Sequence, residues 1–172
     1  MKPKILDVLD QSKEPIIRII KLVMFACSTV IILVMFTLVL CRYVIPGAPM
    51  IWVEEIIILF ALWLYFLGSA YATSRGEQIG GGFIDMWLSG VKLKIIRIIA
   101  KVIDLSVVAL FLYLSVKYFI YLFNSSKSSL YLGINKSLWE ASLVVGFTLM
   151  LIFITISIGN DIYEIDKKED KK

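Results

Sequence analysis

The chain has 172 residues, of which 59% are hydrophobic and 19% charged, with a formal net charge of +4. Its mean hydropathy of +0.86 exceeds that of water-soluble domains, which are nearer half apolar, and points to a bilayer. The absence of histidine and the presence of only two cysteines argue against redox and metal chemistry. The basic balance does not mark a nucleic-acid binder, because the cations flank apolar runs instead of gathering in one patch.

The first predicted element is a short helix over 4–14, "KILDVLDQSKE". Ile5, Leu6, Val8 and Leu9 gather on one face with Asp7 and Asp10 opposite, which suits a helix lying on a membrane surface. A frayed tail with chance amphipathicity is the competing reading. Pro15 can occupy the first turn of the next helix, where its missing N–H costs little, with Ser12 or Glu14 as cap. The mixed-charge stretch before the first apolar run is long for a signal peptide, and no small-residue cleavage site follows it.

The first span is expected over 16–41, with 22–41 wholly uncharged. Crossing about 30 Å of hydrocarbon takes roughly 20 helical residues, and this run supplies them. Cys27 and Cys41 lie about 20 Å apart along such a helix, too far to bond to each other. Arg42 ends the span. The loop "RYVIPGAPM" is short and stiffened by Pro46 and Pro49, so the next span must turn back tightly.

The second span, 51–74, opens with "IWVEE". Trp52 belongs in an interfacial aromatic belt. Acids at a helix N-terminus gain about 0.3–1 kcal/mol from the helix dipole, and Arg42 faces the same aqueous layer, where it can pair with Glu54 or Glu55. Successive residues diverge by about 100°, so the two acids cannot serve one face. Trp52, Leu59 and Trp63 align on one side, toward lipid or a partner. Glu54, Ala61, Tyr65, Gly68 and Ala72 align nearly opposite, and the Ala61–Gly68–Ala72 strip is a candidate packing seam, since helices in lipid associate through close approach at small residues.

The segment "SRGEQIGGGFIDMWLSG" contains a glycine triplet that is no P-loop, because no Gly-Lys-Ser/Thr follows it. A second amphipathic interfacial segment is expected over 83–101, with Lys94, Arg97 and Lys101 along one helical side. The third span, 102–123, carries Asp104 and Lys117. An intramembrane charge is a functional hypothesis by default, yet Asp104 lies near the basic flank and Lys117 within snorkelling reach of an aqueous layer. The loop "NSSKSSLYLGINKS" reads as polar and ordinary. A fourth span over 138–160 and a disordered tail over 164–172 complete the chain.

Two short echoes, "IIRIIKLV" at 16–23 with "IIRIIAKV" at 95–102, and "IWVEE" at 51–55 with "LWEAS" at 138–142, fit a parallel duplication of a two-helix unit. Basic flanks and an aromatic belt generate much of the same pattern. Lys2, Lys4, Lys13, Arg18 and Lys21 precede the first span, Arg75, Lys92, Lys94, Arg97 and Lys101 join the second to the third, and Lys167, Lys168, Lys171 and Lys172 follow the fourth. The positive-inside rule therefore puts both termini and the middle loop in the cytoplasm. The predicted fold is an all-α integral membrane protein with four transmembrane helices and amphipathic interfacial helices, both ends inside.

Arg42, Trp52, Glu54, Glu55, Trp63 and Gly68, then "RGEQI" at 75–79 and Asp85, resemble the small membrane subunit of tripartite ATP-independent periplasmic (TRAP) transporters. That family's pattern places an arginine at the end of span one, a tryptophan and paired glutamates opening span two, a late glycine, then Arg-x-Gly-x-His-Ile and a downstream Asp. Here Arg75 and Gly76 are adjacent and Gln78 stands where histidine is common, so no role of that histidine carries over. The resemblance covers the middle of the chain, and length and four-span topology suit the whole.

The resemblance implies a multi-pass protein of the bacterial inner membrane with two partners besides membrane lipids. One is a large multi-span subunit that moves substrate on a cation gradient, typically sodium, bound by that large subunit. The other is a periplasmic binding protein that delivers a carboxylate-bearing acid of the C4-dicarboxylate or sialic acid type. The small subunit is expected to carry no catalytic site and no cofactor, and to brace its large neighbour's scaffold. The residues alone leave a second reading open, a self-contained oligomeric channel or exporter. A membrane enzyme has no nucleophile–base pair to support it.

Overall fold

A backbone inside hydrocarbon must satisfy its own polar groups, so long apolar runs have little choice but to form helices. The computed structural model describes residues 4–44, 51–76, 91–125 and 127–169. It contains α1 (Lys4–Val44), α2 (Ile51–Arg75), α3 (Val91–Asn124) and α4 (Ser137–Glu169). All four are long and apolar enough to cross a membrane, and there is no β-strand among the described residues, only an isolated bridge between Ser128 and Asn135. The chain is an all-α membrane protein, as its sequence predicts.

Threonine hydroxyls on the exposed faces of these spans follow the same rule. Thr29 donates to the Phe25 carbonyl at 2.9 Å, Thr37 to Leu33 at 2.8 Å, Thr148 to Val144 at 2.7 Å and Thr155 to Leu151 at 2.8 Å, each one turn back. Each group thereby satisfies itself without a partner helix.

Three boundaries differ from the expected ones. The surface helix over 4–14 and the span over 16–41 are one continuous helix, with Pro15 inside it. A proline removes one helical hydrogen bond, and here it does so where Glu14 and Pro15 are exposed. Likewise α3 runs from Val91 through Lys101 into the span without interruption, because no glycine or proline falls between 91 and 124. Residues 83–90 of the expected interfacial segment lie outside the described residues. The tail expected to be disordered from 164 instead continues α4 to Glu169. Extending a formed helix costs far less than nucleating one, and no breaker follows Gly159.

The helices pack as an open row. α1 meets α2, α2 meets α4, and α4 meets α3; α1 touches α4 weakly, and among the described residues α1 and α3 do not meet. Ile17, Ile20, Leu67, Ala70 and Phe153 form the buried core, with Met24, Trp63 and Leu149 packed against it. Beyond Cys27 no residue of α1 is buried, and Ile32, Leu33, Phe36 and Leu40 present their side chains outward. At about 1.5 Å per residue, α1 is roughly 60 Å long, twice the hydrocarbon thickness.

The centre of the row is held by rings and by one close approach. Phe147 of α4 meets Phe66 of α2 edge-on at 5.4 Å and stacks on Phe111 of α3 at 5.8 Å, so three helices share one aromatic ladder. Beside it, a Cβ built on Gly146 falls 2.6 Å from the Phe66 Cβ and 3.2 Å from the Phe66 carbonyl oxygen. Ser142, one turn earlier, is 1% exposed. The Ser142–Gly146 pair therefore lets α4 approach α2 closely at Phe66, in the manner of a small-xxx-small crossing.

At the end of the row that carries Lys101, the Lys101 ammonium donates to Asp161 Oδ2 at 2.5 Å and to Ser157 Oγ at 2.8 Å, tying α3 to α4. Both charged side chains are about a quarter to a third exposed, at 27% and 32%, so solvent screens the pair in part. A double-mutant cycle of Lys101→Met and Asp161→Asn, followed by thermal unfolding in detergent, is expected to return a coupling of about 1 kcal/mol. Additive effects of the two substitutions count against a working clamp.

Candidate functional site

The paired acids face different worlds. Helical rotation of about 100° per residue turns Glu55 toward the neighbouring hairpin and Glu54 away from it. Glu54 is exposed and Glu55 half-buried. The Glu55 carboxylate accepts hydrogen bonds from the Ser129 hydroxyl and, at 3.1 Å, from the Leu132 amide. The amides of Leu130 and Tyr131 turn toward the same group. Consecutive amides converging on one carboxylate form an anion-binding concavity, here filled by the protein's own side chain.

The loop that supplies these donors is far from ordinary. Ser129 N donates to the Ile134 carbonyl at 2.8 Å and Lys136 N to the Lys127 carbonyl at 2.9 Å, closing a small hairpin. Gly133 turns it with φ of 66°, a left-handed conformation that a side chain disfavours. Asn135 Oδ1 accepts from Ser137 N at 3.0 Å, capping the start of α4. Lys127 reaches back over the Tyr121 ring, 5.0 Å from its centroid, and donates to the phenol oxygen at 3.0 Å. That bond holds the Lys127 ammonium above its ordinary range.

Other sequence candidates fall as follows. Arg42, at the end of α1, is exposed. Neither it nor Glu54 makes an ion pair among the described residues. Trp52 is 48% exposed, whereas Trp63 packs against the core of α1, α2 and α4. Gly68 faces α1, where an added Cβ meets Met24 at an ordinary 3.6 Å. Ala61 and Ala72 are half-buried, Tyr65 is exposed, and the most buried α2 positions are Val53, Leu67, Ala70 and Thr73.

Arg75 lies over the Tyr71 ring at 5.7 Å, and Lys21 of α1 approaches that ring at 5.3 Å. One tyrosine thus collects a cation from each of two helices at the Lys101 end. Asp104 is half-buried and Lys117 exposed, and no ion pair joins either to a described residue. Asp85 lies outside the described residues.

Sequence reasoning missed Ser129, the 130–132 amides, Gly146 and the Lys101–Asp161 pair. For Gly146 a signal existed, since Ser142 and Gly146 stand four apart in an otherwise bulky run. For the 130–132 amides there was none, because backbone donors carry no residue signature.

The geometry therefore holds one acid of the pair inside the fold and leaves the second acid and an arginine outside it. Among known families, the model described as "Tripartite ATP-independent periplasmic transporters, DctQ component" matches residues 31–163. A search of curated proteins finds no match.

Proposed function

Because the chain belongs to the DctQ component family of tripartite ATP-independent periplasmic transporters, we propose that this small subunit braces the large transport subunit and handles no substrate itself. The observation that carries this reading is the pair of exposed charges, Arg42 and Glu54, near the same end of the α1–α2 hairpin and without an ion partner among the described residues. Rim charges of this kind set register and partner choice between subunits. An open row also has two long edges, α1 and α3, that can lie along a larger neighbour or lipid.

In this reading the chain sits in the bacterial inner membrane with both termini cytoplasmic, as its flanking cations favour. The large subunit binds the coupling cation, sodium, and moves a carboxylate-bearing acid of the C4-dicarboxylate or sialic acid class. A periplasmic binding protein delivers that acid.

Co-purification tests the partnership. Arg42→Ala and Glu54→Ala, expressed normally, are expected to lower recovery of the large subunit severalfold while leaving substrate preference unchanged in the complex that remains. Undiminished recovery with both substitutions contradicts the assignment of these two residues to the interface.

A further inference from the structure

A cavity of about 280 Å³ opens at the Glu55 end, between α2, α3, α4 and the 127–136 loop. Ile58 and Leu122 give it an apolar wall, Tyr118 and Trp139 contribute rings, and Lys136 and Glu140 contribute charge. Glu55 and Ser129 also line it, but they are bonded to each other. Lys136 and Glu140 are not. They stand four residues apart, a spacing at which opposite charges on a helix commonly pair. Yet neither forms an ion pair with the other or with any described residue.

Lys136 precedes the first residue of α4 while Glu140 lies in its first turn, so the pair is split by the helix start. Glu140 is half-buried, and a carboxylate removed from water without a partner is costly. A ligand that places a cation beside Glu140 and an anion beside Lys136 satisfies both groups. The Tyr118 and Trp139 rings favour an organic ammonium on the cationic side, and a lone lysine at an exposed rim suits phosphate as a point charge.

We propose that this cavity binds a zwitterion in which an ammonium and a phosphate are joined by a short link. The source is either a phosphoethanolamine lipid headgroup or the same chemistry free in solution. The apolar wall, at the ends of three membrane spans, suits the lipid form. The inference does not depend on the transport role.

Native mass spectrometry of the full chain in detergent decides it. Equimolar phosphatidylethanolamine and phosphatidylglycerol are offered, with glycerophosphoethanolamine as the soluble probe. Retention of phosphatidylethanolamine is expected to exceed that of phosphatidylglycerol about tenfold. Glu140→Gln and Lys136→Ala should each bring that ratio near unity with helix content unchanged, while Lys127→Ala, outside the cavity, should preserve it. Glycerophosphoethanolamine binding as tightly as the lipid, with the same response to the variants, assigns the site to the free zwitterion. Equal retention of both lipids by the unaltered chain, or a preference that survives both cavity substitutions, overturns the proposal.

Discussion

Substituting alanine for Gly146 is expected to lower the thermal unfolding midpoint of the purified chain by several degrees, and leucine to prevent a folded product altogether. The added Cβ meets Phe66 at its Cβ and at its backbone carbonyl, and a backbone cannot rotate out of the way as a side chain can. The helices must separate, and separation also loosens the Phe66–Phe147–Phe111 ladder. Overpacking of this kind costs about 1–3 kcal/mol for one methyl group. The matching control is Gly68→Ala, where the new methyl meets Met24 at ordinary contact distance and gains helix propensity of up to about 1 kcal/mol. Equal losses at the two glycines contradict the assignment of the close crossing to α2 and α4.

Glu55→Ala is expected to release the 127–136 loop, whereas Glu54→Ala leaves it closed. Removing the carboxylate strips an acceptor from the Ser129 hydroxyl and the Leu132 amide, and Ser129 is buried. The Leu132 amide keeps Ser129 Oγ as a second acceptor at 3.2 Å, but leaving the buried Ser129 hydroxyl without an acceptor costs about 2 kcal/mol. When opening is fast relative to cleavage, proteolysis follows the open population. Tryptic cleavage after the exposed Lys127 should then accelerate about thirtyfold. For Glu54→Ala the cleavage rate should match that of the unaltered chain, with recovery of the large subunit reduced instead. The two adjacent acids thus separate integrity of the fold from assembly. A Glu55→Ala chain with an unchanged cleavage rate removes the loop latch from the account.

The contrast between these residues shows what the sequence could carry. Four apolar runs fixed four helices, because hydrocarbon leaves the backbone no alternative. Helical rotation alone separates Glu54 from Glu55, but it does not say which acid turns inward. That choice depends on α4 lying next to α2, and neighbour order in a row is a property of side-chain fit between distant segments. The same blindness favoured Gly68 over Gly146: both sit in apolar runs, and only the packing shows that one meets a flexible methionine and the other a phenylalanine backbone. Pro15 misled in a simpler way, because a boundary residue and a tolerated interior proline look alike when the turn is exposed.

Transport by reconstituted components tests the bracing role most directly. The large subunit, with its binding protein, is placed in liposomes with and without this chain, and the chain is also reconstituted alone under the same cation gradient. The account predicts substrate uptake only when both membrane subunits are present, and no uptake above empty liposomes for this chain by itself. Solute movement through the isolated chain, or undiminished uptake by the large subunit without it, contradicts the claim that this protein supports transport without performing it.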